Sequence, residues 1–317
     1  MAEKSKKSHL RYERLLAAAR ELPPVPTAVV HPCDDVSLSS AVEGARMGLI
    51  EPILVGPEAK IHAVAATLKL DISPFPIVST EHSHASAARA VELVREGRAQ
   101  ALMKGSLHTD ELMGAVVARE IGLRTARRVS HCFVIDVPDY QAPLIITDAA
   151  VNIAPTLEEK VDIIHNAIEL ANAIRVDQPR IAILSAMETV TSKVGSTIDA
   201  AALCKMADRG QITGGVLDGP LALDNAISPE AAKIKNIDSP VAGRANVLVV
   251  PDLEAGNMLA KSLSFLAGAD AAGIVLGAKV PIILTSRADS LIARLASCAV
   301  ATLVADARRS SAGRAVR

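Results

Sequence analysis

Val280-Pro281-Ile282-Ile283-Leu284-Thr285-Ser286-Arg287-Ala288-Asp289-Ser290 is an apolar run that halts at a hydroxyl, a guanidinium and a carboxylate. Directly after it, Leu291, Ile292, Leu295, Ala299 and Leu303 recur at helical spacing. The stretch therefore reads as a buried strand feeding the N-terminus of a helix. Such a terminus carries unpaired backbone N–H groups and the positive end of the helix dipole, so it favours an anion. Arg287 adds a planar fork of donors that matches phosphate, and Asp289 can take a proton close by. Ser and Asp also occupy this position as plain helix caps. The stretch alone leaves both readings open.

Working outward, the same strand-to-helix rhythm recurs. Strands are expected at residues 27–32, 52–57, 76–78 and 101–105, and helices at 10–20, 37–47, 59–68 and 84–95. Short buried strands separated by such helices indicate crossover units and a mainly parallel sheet. Near residues 130–147 the rhythm changes. Cys132-Phe133-Val134-Ile135 and Leu144-Ile145-Ile146-Thr147 flank the turn-rich Pro138-Asp139-Tyr140-Gln141 and read as an antiparallel hairpin. Alternation resumes with a helix opened by a Thr156/Glu159 capping box. Strands are then expected at 181–184, 212–217, 247–250, 274–276 and 282–284. The expected architecture is two doubly wound domains with a hinge near Asp136 to Tyr140. Residues 1–138 plus 275–317 form the first, and residues 139–274 are inserted as the second.

Bulk composition narrows the function. Half of the 317 residues are hydrophobic (50%), yet none of the apolar runs reaches the roughly eighteen residues of a membrane span. The N-terminus, Met1-Ala2-Glu3-Lys4-Ser5-Lys6-Lys7, is charged and lacks the apolar centre of a signal peptide. Cys33, Cys132, Cys204 and Cys298 show neither metal-type nor disulfide-type spacing, which fits reduced thiols in the cytoplasm. A net charge of −1 with two Tyr, three Phe and no Trp provides neither a basic track nor stacking platforms for nucleic acid.

Polar clusters stand at the expected strand ends, where open parallel sheets bind ligands. They are Lys104-Gly105-Ser106-Leu107-His108-Thr109-Asp110, Arg127-Arg128-Val129-Ser130-His131, Thr147-Asp148-Ala149-Ala150-Val151-Asn152, residues 218–226, residues 251–257 and the opening stretch. Each has a structural explanation of its own: Gly105 and Gly219 as turn residues, Asp224 and Asp252 as helix caps, His131 as a satisfied wall histidine. Six clusters in register with strand ends favour a cleft that binds a charged ligand at many points.

Four of these motifs carry a resemblance. Thr147-Asp148-Ala149-Ala150-Val151-Asn152-Ile153-Ala154-Pro155, Asp218-Gly219-Pro220-Leu221-Ala222-Leu223-Asp224-Asn225-Ala226, Pro251-Asp252-Leu253-Glu254-Ala255-Gly256-Asn257 and Leu284-Thr285-Ser286-Arg287-Ala288-Asp289-Ser290 resemble the phosphate acetyltransferase / phosphate butyryltransferase family. The similarity runs from about His31 to the C-terminus. It implies two three-layer α/β/α domains similar to the isocitrate dehydrogenase fold, with an interdomain cleft and a homodimeric assembly. It also implies reversible transfer of a short acyl group between coenzyme A and inorganic phosphate. Coenzyme A is then a substrate; no tightly bound cofactor and no metal are expected.

By the same resemblance, Arg287 would hold the phosphate and Ser286 the developing oxyanion. Arg128 would reach the phosphate, with its neighbour Arg127 a weaker match. Ser106, His108 and Thr109 would add a phosphate-facing surface, and Asn152 and Asp218 would line the wall of the inserted domain. One position departs from the acetyl-type pattern: Ala293 stands where those members carry a presumed base aspartate. Asp289 lies one helical turn before it on the same face and is the candidate replacement; its other reading is a cap or a partner of Arg287. Acetyl is the preferred acyl group and butyryl the alternative, since one methylene changes discrimination by only about 1–3 kcal/mol. A non-catalytic sensor of coenzyme A or acyl phosphate is the reading from another class.

Overall fold

The computed structural model describes residues 10–138, 140, 143–286 and 289–315, with Leu10 and residues 312–315 as backbone only. Backbone contacts divide the chain into two units, residues 14–129 with 272–317, and residues 1–13 with 130–271.

The chain opens with α1 (Leu10–Arg20), whose first residues go with the second of these units. There Tyr12 Oη lies 2.7 Å from the carbonyl oxygens of both Val134 and Asp270, and Arg11 reaches the Asp136 carboxylate at 2.5 Å. A crossover series follows: β1 (Val25–Val30), α2 (Asp35–Arg46), β2 (Ile50–Gly56), α3 (Glu58–Leu68), β3 (Ile77–Ser79), α4 (Ser83–Arg95), β4 (Ala101–Lys104) and α5 (Thr109–Val116). These elements match the expected strands and helices to within a few residues. All of β1 except Pro26 is buried, which is why it reads as a continuous apolar run rather than an alternation. Asp34 caps α2 by accepting the Ser37 N–H at 2.8 Å.

The other unit contains β5 (Ser130–Asp136), β6 (Leu144–Thr147), α6 (Leu157–Ala173), β7 (Arg180–Leu184), α7 (Gly195–Asp208), β8 (Val216–Leu221), α8 (Leu223–Ile227), α9 (Pro229–Ile234), β9 (Val247–Val249) and α10 (Leu253–Leu266). β10 (Asp270–Leu276) leads back to β11 (Ile282–Ile283) and α11 (Leu291–Ala315). β5 and β6 form the expected antiparallel hairpin, with Cys132 opposite Thr147 and Ile135 opposite Leu144. The unit breaks differ from the sequence-based limits at the N-terminus, where α1 up to Glu13 groups with the second unit, at residues 130–138, which group with β6 because β5 pairs with it, and at residues 272–274.

Within residues 14–129 and 272–317 the strand order is β3-β2-β1-β4-β11-β10, parallel except for β10 against β11. Within the other unit it is β5-β6-β9-β7-β8, parallel beyond the hairpin. Both are mainly parallel α/β sheets. Helix α11 is buried almost all round from Leu295 to Ala305, so its amphipathic period fades as a central helix's does.

Two glycines read as turn residues have a different purpose. A Cβ on Gly105 would stand 2.2 Å from the Val30 carbonyl oxygen, so only glycine lets the chain leaving β4 lie against the end of β1. Gly219 sits inside β8, where a Cβ would meet the Ile183 carbonyl oxygen at 2.7 Å. β8 itself occupies 216–221 rather than the expected 212–217. Gly214, at φ +93°, turns the chain before the strand begins. The Thr156/Glu159 capping box is formed as expected, with Glu159 N–H to Thr156 Oγ1 at 3.3 Å and Thr156 N–H to Glu159 Oε2 at 2.9 Å. Thr156→Ala should lower unfolding free energy by about 1 kcal/mol in urea titrations, the usual cost of a lost N-cap, with activity retained.

Candidate active site

Strand register brings several candidate residues to one edge of one sheet. Val30 pairs with Lys104, and Met103 pairs with Ile283, so β1, β4 and β11 leave the sheet side by side. Their exits carry His31, Gly105-Ser106 and Leu284-Thr285-Ser286 respectively. Parallel strands lie about 4.8 Å apart, which puts the exits of β1 and β11 roughly two such spacings from each other.

The exit of β11 forms a compact turn. Ser286 N–H donates to Asp289 Oδ2 at 2.6 Å, and Asp289 N–H donates to the Ser286 carbonyl at 3.2 Å. Ser290, not Asp289, caps the helix, since its hydroxyl accepts the Ala293 N–H at 3.1 Å. Asp289 thus has its carboxylate turned back onto the Ser286 backbone, where it fixes the turn that presents the exposed Ser286 side chain. Ala293 is buried. Arg287 lies outside the described residues.

The β4 exit is stapled to β1. Ser106 Oγ donates to the His31 carbonyl at 2.8 Å and accepts the Cys33 N–H at 3.3 Å. Its hydroxyl therefore holds the loop rather than standing open. His108 is exposed, and Thr109 begins α5. The His108 N–H donates to Glu111 Oε2 at 3.0 Å, and this bond is the main reason the Glu111 carboxyl lies below its ordinary range. Glu111 Oε1 also accepts from Ser83 Oγ at 3.0 Å and faces His84 at 3.2 Å.

His31, to which the sequence reading gave no role, has a defined ring setting. It holds a left-handed backbone (φ 57°), and its Nδ1 meets Ser86 Oγ at 3.0 Å. Ser86 Oγ also lies 2.8 Å from Thr80 Oγ1 and 3.0 Å from the His82 carbonyl. If the single Ser86 proton goes to that carbonyl, His31 must donate from Nδ1, which leaves Nε2 with the lone pair.

Arg128 is exposed in the segment before β5. That segment is tied to the loop entering β11: Thr125 Oγ1 donates to the Gly277 carbonyl at 2.6 Å, and Lys279 N–H to Leu123 at 2.9 Å. Ser286 follows the opposite end of β11, which is only two residues long.

The candidates in the other unit are mostly committed to structure. Asp148 accepts backbone N–H bonds from Ala150, Val151 and Asn152 at 2.9, 3.0 and 3.1 Å, plus the Asn152 side-chain amide at 2.5 Å. Asn152 is therefore buried as part of a closed loop. Asp218 lies within β8, not in a loop after it, and accepts the Gly219 N–H at 2.8 Å. Asp252 caps α10 through the Ala255 N–H at 2.8 Å. Burial pushes the thiols of Cys132, Cys204 and Cys298 up to about 12, and Cys33 is raised for the same reason. None is suited to serve as an acylated nucleophile, since the thiolate is the reactive form. The site thus joins an internally hydrogen-bonded turn, a helix N-terminus and an exposed serine, which suits an anionic reactant and a carbonyl that gains charge.

Residues 84–302 match the family described as "Phosphate acetyl/butaryl transferase". The chain belongs to this family. A phosphate acetyltransferase of Rhizobium meliloti is 66% identical over 95% of this chain and 95% of its own length. A phosphate butyryltransferase of Clostridium beijerinckii is 40% identical over 93% and 97%. Among solved structures, a branched-chain phosphotransacylase of Enterococcus faecalis V583 superposes with a TM-score of 0.76 at 30% identity, covering 88% of this chain and 99% of that one.

The His31 setting makes a pH prediction. Burial, then the Lys60 charge, lowers its pKa below the ordinary 6.5; Glu111 and Asp34 oppose the shift, and His82 adds to it. The folded state thus binds this proton less readily than the unfolded chain, so the contribution is intact above pH 6.5 and lost as pH falls below it. Melting temperatures measured across that range should fall less steeply with acid in His31→Gln than in the wild type.

Proposed function

We propose that the chain is a phosphate acetyltransferase, transferring acetyl reversibly between coenzyme A and inorganic phosphate. The observation that carries the reading is the high identity to a phosphate acetyltransferase over nearly the whole chain, 66% against 40% for a phosphate butyryltransferase. The Ser286 turn supports it as a place for the anionic reactant. Residues 14–129 with 272–317 correspond to the domain that presents this turn, and residues 130–271 to the inserted domain. The assembly is a homodimer in the cytoplasm, and the chain's partners are acyl-CoA and phosphate. Among the described residues no helix is long and apolar enough to cross a membrane.

In the direction of acetyl-CoA synthesis, the coenzyme A thiol gives up its proton and the thiolate attacks the acetyl carbon of acetyl phosphate. The carbonyl oxygen gains charge, the bond from carbon to the phosphate oxygen breaks, and phosphate leaves with that electron pair and takes up a proton. Arg287 and the α11 N-terminus hold the phosphate. Ser286 donates to the oxyanion, a contribution of the kind worth 10²–10³ in kcat when one such donor is removed. Arg128 neutralises phosphate charge from the segment before β5. Ser106 holds the β4 loop, while His108 and Thr109 form its outer surface. Asn152 and Asp218 shape the inserted domain.

Asp289 is open to two roles, thiol base and anchor of the turn, and one pair of variants separates them. Asn keeps an acceptor for the Ser286 N–H but cannot take a proton at neutral pH. A loss of about 10²–10⁴-fold in kcat for Asp289→Asn fits the base. Near-normal turnover for Asp289→Asn with a loss only for Asp289→Ala fits the anchor.

Thiol release from acetyl-CoA and butyryl-CoA in the presence of phosphate tests the function directly. The expected result is a higher kcat/KM for acetyl, with Ser286→Ala lowering kcat by roughly 10²-fold or more. A higher kcat/KM for butyryl would reassign the acyl group. A well-folded protein with no release from any short acyl donor would favour a sensor instead.

A further inference from the structure

Arg294 closes the first turn of α11, adjacent to the buried Ala293. Side chains on a helix lean toward its N-terminus, and this one runs back across the first turn. Its Nη1 donates to the Asp289 carbonyl at 2.6 Å, while its own backbone N–H bonds to the Ser290 carbonyl at 3.1 Å. The side chain therefore grips the closing residue of the Ser286 turn, and the main chain grips the helix cap beside it.

The electrostatic setting is unusual for an arginine in this position. Its Nε is buried and has no acceptor. Among the described residues, no carboxylate forms an ion pair with it. A partly desolvated guanidinium held by one neutral carbonyl costs stability, and an anion brought close recovers that cost. The charge also adds to the positive end of the α11 dipole, which points the same way.

We propose that Arg294 is a positioning residue for acyl transfer: it fixes the Ser286–Asp289 turn through the Asp289 carbonyl and supplies a positive charge toward the anionic reactant. The proposal rests on the acyltransferase reading for its kinetic arm, but not for its binding arm.

The test compares wild type, Arg294→Met and Arg294→Lys. With acetyl-CoA and phosphate, Arg294→Met should lower kcat/KM for phosphate about 10–100-fold, the order of loss that misplacement of a reacting group produces. The KM for acetyl-CoA should move little. Arg294→Lys, which keeps the charge and one donor, should recover much of the loss. Independently of turnover, inorganic phosphate should raise the melting temperature of the wild type more than that of Arg294→Met. If the wild type transfers no acyl group, the functional reading falls while the phosphate melting series still decides the role of Arg294. Unchanged kcat/KM and an unchanged phosphate-induced shift in Arg294→Met would overturn the proposal. So would a uniform loss of melting temperature and of every kinetic parameter that Lys does not relieve, since that marks a purely structural residue.

Discussion

β11 contains two residues, and its parallel pairing with β4 governs the geometry of the candidate site. Because β4 pairs in parallel with β1, the three strands deliver their following loops to a common edge. Gly105 makes the arrangement possible, since a side chain there would collide with the backbone leaving β1. Ser106 then fastens the two exits together. A one-residue slip in any of these pairings would turn the exit residues toward the opposite face of the sheet.

On that platform, the turn from Ser286 to Asp289 links the β11 exit to the start of α11, where we propose that the anionic reactant binds. Local hydrogen bonds among the described residues hold the turn, among them the Asp289 carboxylate on the Ser286 N–H, the Ser290 hydroxyl on the Ala293 N–H, and Arg294 on the Asp289 carbonyl. The division of labour matters for the chemistry. Ser290 provides the cap, which releases Asp289 from that duty. The helix dipole, the guanidinium of Arg294 and the exposed hydroxyl of Ser286 then share one end of α11. In a site shielded from water such fixed groups act on developing charge without having to reorganise.

The fold was largely legible because buried parallel strands leave continuous apolar runs, as at Val25–Val30, and because helix starts carry local chemistry, as at Thr156 and Glu159. β8 was displaced in the reading for a physical reason. Asp218-Gly219-Pro220 has turn composition, yet β8 lies at the end of its unit's strand order, where a proline costs no ladder bond. The site was legible only in part. Ser286 and Asp289 stood out because their side chains interrupt an apolar run. Asn152 looked like a wall residue, but its amide is taken up by Asp148, a closure that composition does not reveal. The pairing of His31 with Ser86 joins distant segments. Arg294 bonds to a main-chain carbonyl, which leaves no trace in side-chain identities.

The most direct test of the central claim, that the α11 N-terminus and the Ser286 turn receive the phosphate of the reactant, is a crystal structure with acetyl phosphate bound. The account predicts the phosphate at the first turn of α11, contacted by Arg287, with the acetyl oxygen within hydrogen-bonding distance of Ser286 Oγ. Acetyl phosphate bound elsewhere, with the Ser286 turn facing only water, would contradict it.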